Sequence, residues 1–227
     1  MIQIEFFHDA VCGWCYIQSP RLRAIAERYP VEVIHRSFVL QKNNDEMISR
    51  FGSMDAAKNE ILQHWQHCKA YADAPELINI EGMRAAAFDY PTGYLSARYA
   101  KAVERVGEQI SGQAGGQCAH WDFFDAVQKA HLYFNQNIND PKVLDDIVTQ
   151  LQLPLDQIHK VLLSQENADD VERDLHRAQE RGISRIPAFL INGQNVVSQS
   201  LSYSQLATLI QSELDKKAVS GQAEELL

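Results

Sequence analysis

Ile2-Gln3-Ile4-Glu5-Phe6 alternates apolar and polar side chains, the period of a strand that buries one face. The run ends after Phe7. A helical pattern then carries Leu22, Ile25 and Ala26 on one face as far as about Arg28, with Pro20 in its first two turns. Tyr29-Pro30 makes a turn, and Val31-Glu32-Val33-Ile34-His35 reads as a second strand. Strand, helix and strand within some forty residues predict a parallel βαβ unit.

From Asp45 to about Gln165 the period changes to that of helices, predicted near 45–51, 54–72, 92–110, 119–134, 141–151 and 155–164. Asp140-Pro141 places a capping side chain before a first-turn proline. The Gly-, Gln- and Ser-rich stretch Gln109 to Gln117 is expected to be a mobile loop. A helix from Asn167 to Arg181 stops at Gly182. Ile186 to Ile191 is then a strand, Asn192-Gly193 a hairpin turn, and Asn195-Val196-Val197 the return strand. Ser202 to Lys217 forms a closing helix, with Ser202 and Gln205 spaced as a capping box, and the last ten residues are expected to fray.

The order is βαβ, a helical block, then αββα. It predicts an α/β, thioredoxin-like fold interrupted by a large all-helical insertion. The discontinuous main domain is expected at 1–41 and 166–227, and the insertion at 42–165.

The 227 residues, 45% hydrophobic and 22% charged, are ordinary for a globular chain. A net charge of −9, without a run of Lys and Arg, argues against nucleic acid and anionic membranes as partners. No apolar stretch is long enough to span a bilayer, and Met1 is followed directly by a strand instead of a leader pattern. A cytoplasmic location is therefore expected. Four cysteines do not make a disulfide scaffold.

Cys12-Gly13-Trp14-Cys15 stands at the first strand-to-helix junction. A helix N-terminus presents unpaired N–H groups and a positive dipole end, which favour the attacking thiolate. The offset of three lets the second sulfur displace a partner bound to the first. Half a zinc site looks the same, but the usual second pair is missing. Cys12 is the candidate nucleophile and Cys15 the resolving thiol. Trp14 is a candidate lip residue, and His8 and Asp9 are candidates for tuning the sulfurs or relaying a proton. His64, His67, Cys68, Cys118 and His120 leave three readings open: inert thiols in a helical block, a second disulfide, or a zinc site.

The chain resembles the DsbA family of thiol–disulfide oxidoreductases, and in particular its FrnE-like branch. The resemblance rests on Val11-Cys12-Gly13-Trp14-Cys15-Tyr16, Arg36-Ser37-Phe38-Val39-Leu40, Ala130-His131-Leu132-Tyr133-Phe134 with Ile138-Asn139-Asp140, and the segment from Gly182 to Gly193. It implies a cis-proline at Pro187 facing the cysteines, with the Ile186 backbone free to pair with an extended peptide. It also implies protein or small disulfide substrates, glutathione among the candidate partners, and no cofactor. Gly13 departs from the proline usual at that position, and Ser96-Ala97-Arg98 departs from the Ala-His-Arg of many relatives. A kappa-type glutathione transferase or hydroxychromene-carboxylate isomerase is the alternative enzyme, and a metal-handling or partner-binding protein the alternative of another class.

Overall fold

The computed structural model describes residues 1–224. Strand β1 (Ile2–His8), helix α1 (Gly13–Arg28) and strand β2 (Val31–Ser37) form the predicted parallel unit, with Phe6 opposite His35 and His8 opposite Ser37. Strand β3 (Ala188–Ile191) runs antiparallel to β1, and β4 (Asn195–Val197) pairs with β3, giving the order β2-β1-β3-β4. Asn192 and Gly193 turn the hairpin with positive φ at both residues, the twist that suits a two-residue connection.

Between the halves lie α2 (Asn44–Phe51), α3 (Met54–Lys69), a 3-10 turn (Pro75–Leu77), α4 (Ile80–Ala85), α5 (Tyr94–Leu132), α6 (Pro141–Gln150) and α7 (Leu155–Leu162). Helix α8 (Gln165–Glu180) returns the chain to the sheet, and α9 (Tyr203–Glu224) closes it. Asp140 caps α6 through Lys142 N–H, and Ser202 and Gln205 make the reciprocal pair before α9. The described strands all lie outside 42–165.

Two expectations are corrected. Gln109 to Gln117 is not a loop: α5 continues through it, broken only at Ser111 and Gly112. Gly112 has φ 73° and ψ −178°, a conformation open to glycine alone among common residues. The helix resumes because Gln117, His120, Trp121 and Phe124, spaced along one face, are buried. Tertiary burial outweighs the poor helix propensity of Gly and the middling one of Ser. The closing helix, expected to end at Lys217, runs on to Glu224, and of the ten residues expected to fray 225–227 lie outside the described residues. Helix α4 had no counterpart in the sequence reading, because one turn with Ile80 and Met83 inward is too short to show a period.

The even-numbered residues of β1 face α1, α5 and α9. Ile2, Ile4 and Phe6 pack there with Leu22, Ile25, Trp121, Phe124, Leu206 and Ile210. On the other face, Phe7, Ala188 and Leu190 meet Ala178 and Ile183. Glu5 is buried on that face and held by Arg36 at 2.8 Å and Arg177 at 2.6 Å. The outer edge of β2 is covered, as exposed strand edges usually are. Gln117 Oε1 accepts the His35 N–H at 2.7 Å, and Asp174 Oδ2 accepts that of Ser37 at 2.9 Å. The second core, in the insertion, takes in Ala10, Val11 and Ile17. The loop between β1 and α1 is therefore packed from both sides. No helix among the described residues is long and apolar enough to cross a membrane.

Candidate active site

Helix α1 begins at Gly13, and its N-cap is Cys12. The Cys12 sulfur takes the place of the usual capping oxygen, accepting the Cys15 N–H at 3.2 Å. Cys12 is 8% exposed and Cys15 fully buried, so the two sulfurs differ in access. Burial, followed by the hydrogen bond and charge of Cys12, pushes the Cys15 thiol well above the ordinary range.

Three elements fix the loop carrying the pair. Asp9 Oδ1 accepts the Val11 N–H at 3.2 Å and Oδ2 the Leu40 N–H at 2.8 Å, while the Asp9 carbonyl accepts the Cys12 N–H at 3.1 Å. From α5, Gln128 Nε2 donates to the Cys12 carbonyl at 3.1 Å. From the insertion, Tyr90 Oη donates to the Val11 carbonyl at 3.1 Å and accepts the Trp65 indole N–H at 3.2 Å. His131 Nε2 lies 3.0 Å from the same Tyr90 oxygen. Gln128 and Tyr90 carry no motif, and sequence reasoning did not find them.

His8 and Asp9 adjoin in sequence but serve different places. The His8 ring lies among Phe6, His35, His120 and Phe124. Asp9 lies behind the cysteines, where burial raises its carboxyl to about 6 against the opposing pull of three backbone N–H groups. A carboxyl raised in the folded state favours folding below its unfolded value of about 3.9, and that contribution is lost as pH rises through about 6. The Asp9 carboxyl is expected to titrate near pH 6 when followed by the ¹³C shift of labelled aspartate. Titration near pH 4 would mean that water reaches it.

Trp14 is half-buried, its ring centroid 5.7 Å from that of His67 and 5.6 Å from that of Tyr71. The Ile186–Pro187 bond is cis. Ile186 packs on the core cluster that contains Cys12, Cys15 and Trp121. Alongside α1 opens a largely apolar cavity of about 520 Å³, lined by Tyr16, Pro20, Arg21, Ala72, Leu77 and Tyr203 among others.

The remaining cysteines separate. Cys118 is exposed on α5. His64 and His67 are exposed on α3, whereas His120 is fully buried against the sheet, so the five residues considered for zinc do not share one environment. Cys68 lies beneath the active-site turn. A methyl group built on Gly13 would come within 2.7 Å of its Sγ. Only glycine leaves that space, which accounts physically for the missing proline. Cys118→Ser is expected to leave disulfide turnover unchanged and stability within about 0.5 kcal/mol, as for other exposed sites. Loss of turnover in that variant would show a redox role that its position does not provide.

The sheet order, the parallel βαβ start and the helical block between the halves define a thioredoxin-like fold with a helical insertion. The DSBA-like thioredoxin domain family matches residues 3–78 and 98–211, and the chain belongs to that family. A search of the curated proteins finds no match. Among solved structures, the chain is similar to a candidate protein disulfide isomerase from Nitrosomonas europaea, at 18% identity and TM-score 0.74 over 95% of this chain and 98% of that one. It is also similar to the cytosolic disulfide reductase DsbM from Pseudomonas aeruginosa, at 18% identity and TM-score 0.64 over 99% and 100%, a protein also solved with GSH. A 2-hydroxychromene-2-carboxylate isomerase shares the fold at 16% identity and TM-score 0.59 over 99% of each chain.

Proposed function

We propose that the chain is a thiol–disulfide oxidoreductase that exchanges a Cys12–Cys15 dithiol or disulfide with protein or small disulfide substrates. The observation that carries this reading is the capped pair: a marginally accessible Cys12 at the start of α1, bonded to the Cys15 N–H, with Cys15 fully buried behind it. Membership of the DSBA-like family supports it. The motifs of the insertion, Ala130-His131-Leu132-Tyr133-Phe134 with Ile138-Asn139-Asp140, support the FrnE-like branch of that family.

Cys12 attacks a substrate disulfide, forming a mixed disulfide and releasing one substrate thiolate. Cys15 then gives up its proton and attacks Cys12, so that the second substrate thiolate leaves and the Cys12–Cys15 disulfide remains. Asp9 is the acceptor nearest in chemistry to that proton: near neutral pH its carboxyl is ionised, yet basic enough to take part. Pro187 and Ile186 form the wall along which an extended substrate lies, Trp14 forms its lip, and the apolar cavity beside α1 takes substrate side chains. In a reducing compartment such as the cytoplasm, the direction is reduction or isomerisation, with glutathione returning the dithiol.

Turnover of an insulin-type disulfide with glutathione as reductant tests this, run beside glutathione conjugation to an electrophile. Exchange without conjugation is expected. Conjugation without exchange would favour the transferase or isomerase alternative, in which Cys15 has no task.

A further inference from the structure

Three buried histidines stand apart from the exchange chemistry. His8 ends β1, His35 is in β2, and His120 comes from the second half of α5. Phe6 pairs with His35 and His8 with Ser37, so strand alternation puts Phe6, His8, His35 and Ser37 on one sheet face. Helix α5 lays His120 over that face, beside Gln117, Trp121 and Phe124. His35 and His120 are 0% exposed and His8 is 3% exposed. One nitrogen from each ring can be chosen so that all three lie within 4.8 Å of one another.

The polar pairing inside the cluster is incomplete. His8 Nε2 and His35 Nδ1 are 2.9 Å apart and share one proton. His120 Nδ1 lies 2.7 Å from Glu104 Oε2. A carboxylate oxygen accepts, so the Nδ1 proton points at Glu104 and the lone pair is left on Nε2. His120 Nε2 and His35 Nε2 are both buried without a hydrogen-bond partner. Unpartnered buried nitrogens are costly and uncommon.

A carboxylate on the far nitrogen of a ligating histidine is the usual outer-shell support of a metal site. Gln117 extends it, donating to Glu104 Oε1 at 3.0 Å while accepting the His35 N–H. Lys101 also faces the group, donating to Glu104 at 2.9 Å and to the His35 carbonyl at 3.3 Å. Beside His8 lies a cavity of about 20 Å³, lined also by Ser37 and Ser96. That is room for one water molecule next to His8, and the Ser37 hydroxyl there is itself unpartnered.

We propose that His8, His35 and His120 form a three-histidine binding site for a divalent transition-metal ion of the Zn²⁺ type, stapling the β1–β2 edge to α5. A donor set of imidazoles without thiolate suits Zn²⁺, Co²⁺, Ni²⁺ or Cu²⁺ and not Mg²⁺ or Ca²⁺. Zn–N bonds of about 2.0–2.1 Å place tetrahedral ligand nitrogens about 3.3 Å apart, within reach of side-chain adjustment from the present spacing. A metal there joins main sheet and insertion, and binding only to the folded chain raises its stability by mass action.

Because the site is closed, the metal must enter during folding. The full chain, oxidised at Cys12–Cys15 so that these sulfurs cannot compete, is unfolded and refolded with Co²⁺, desalted and analysed for metal and visible absorption. About one Co²⁺ per chain is expected, with the intense d–d bands of a tetrahedral site and no thiolate-to-cobalt charge-transfer band. The thermal midpoint should rise above that of protein refolded with chelator. His120→Gln should lose the metal, and since Gln is polar and of similar reach, the fold should survive. Should that variant fail to fold, the wild-type spectrum still decides. No retained cobalt, a thiolate band, or full retention by folded His120→Gln would each overturn the site. Exchange turnover of the metal-free protein is measured in parallel, so that failure of the metal site and failure of the proposed redox function are read separately.

Discussion

Cys12→Ser is expected to bring disulfide exchange down to the uncatalysed rate, a loss of at least about a thousandfold, or about 4 kcal/mol of barrier. A hydroxyl at the N-cap still accepts the Cys15 N–H, so α1 keeps its cap and the fold should stand. What is lost is the only sulfur of the pair with any access to substrate, because Cys15 is fully buried. Turnover of a peptide disulfide beside a far-ultraviolet melting curve checks both halves. A large fall in stability would mean that the loss of activity reports unfolding. Residual turnover above background would show a second attacking sulfur, and the exposed Cys118 would be the one to examine.

The second large effect is structural and centres on Gly13. Gly13→Ala puts a methyl group 2.7 Å from Cys68 Sγ, 3.6 Å from Trp65 Cδ1 and 3.7 Å from Leu132 Cδ2. Cys68 and Trp65 are each 1% exposed, so neither has space to retreat. Overpacking of this kind costs about 1–3 kcal/mol, and the shift should fall on the turn that carries Cys12. Cys68→Ala opens a pocket where the sulfur was. In the double variant the new methyl fills part of that pocket, and the two changes should be markedly less destabilising than their sum. Denaturant midpoints of the four proteins complete the cycle. Strict additivity would mean that Gly13 and Cys68 do not share the space assigned to them.

The parts of the fold that were legible in the sequence are those with a sustained local period. The alternation from Ile2 to Phe6, the Asn192-Gly193 turn and the Asp140-Pro141 cap each state their geometry within a few residues. So did the strand–CxxC–helix junction, which placed the two cysteines before any packing was known. The middle of α5 is not legible, because the glycines are poor helix formers, the stretch from Gln109 to Gln117 carries no apolar period, and the turns there are held by burial against β2. His120 is hidden from His8 and His35 for the same reason: without a period through 109–117, nothing in the sequence aligns the second half of α5 with the sheet. Tyr90 and Gln128 reach the active-site loop across 79 and 116 residues of chain, contacts that no local pattern encodes. Cys68 was legible as a thiol but not as a neighbour of Gly13, since that contact exists only once α3 packs beneath α1.

The central claim is that Cys12 attacks and Cys15 resolves, and Cys15→Ser tests it most directly. Incubated with oxidised glutathione, this variant should accumulate a single mixed disulfide, seen as one added glutathione by intact mass and released by reductant. Peptide mapping should place it on Cys12, with exchange stalled after the first attack. Normal turnover by Cys15→Ser, or an adduct mapped to Cys68 or Cys118 with Cys12 left free, would contradict the account.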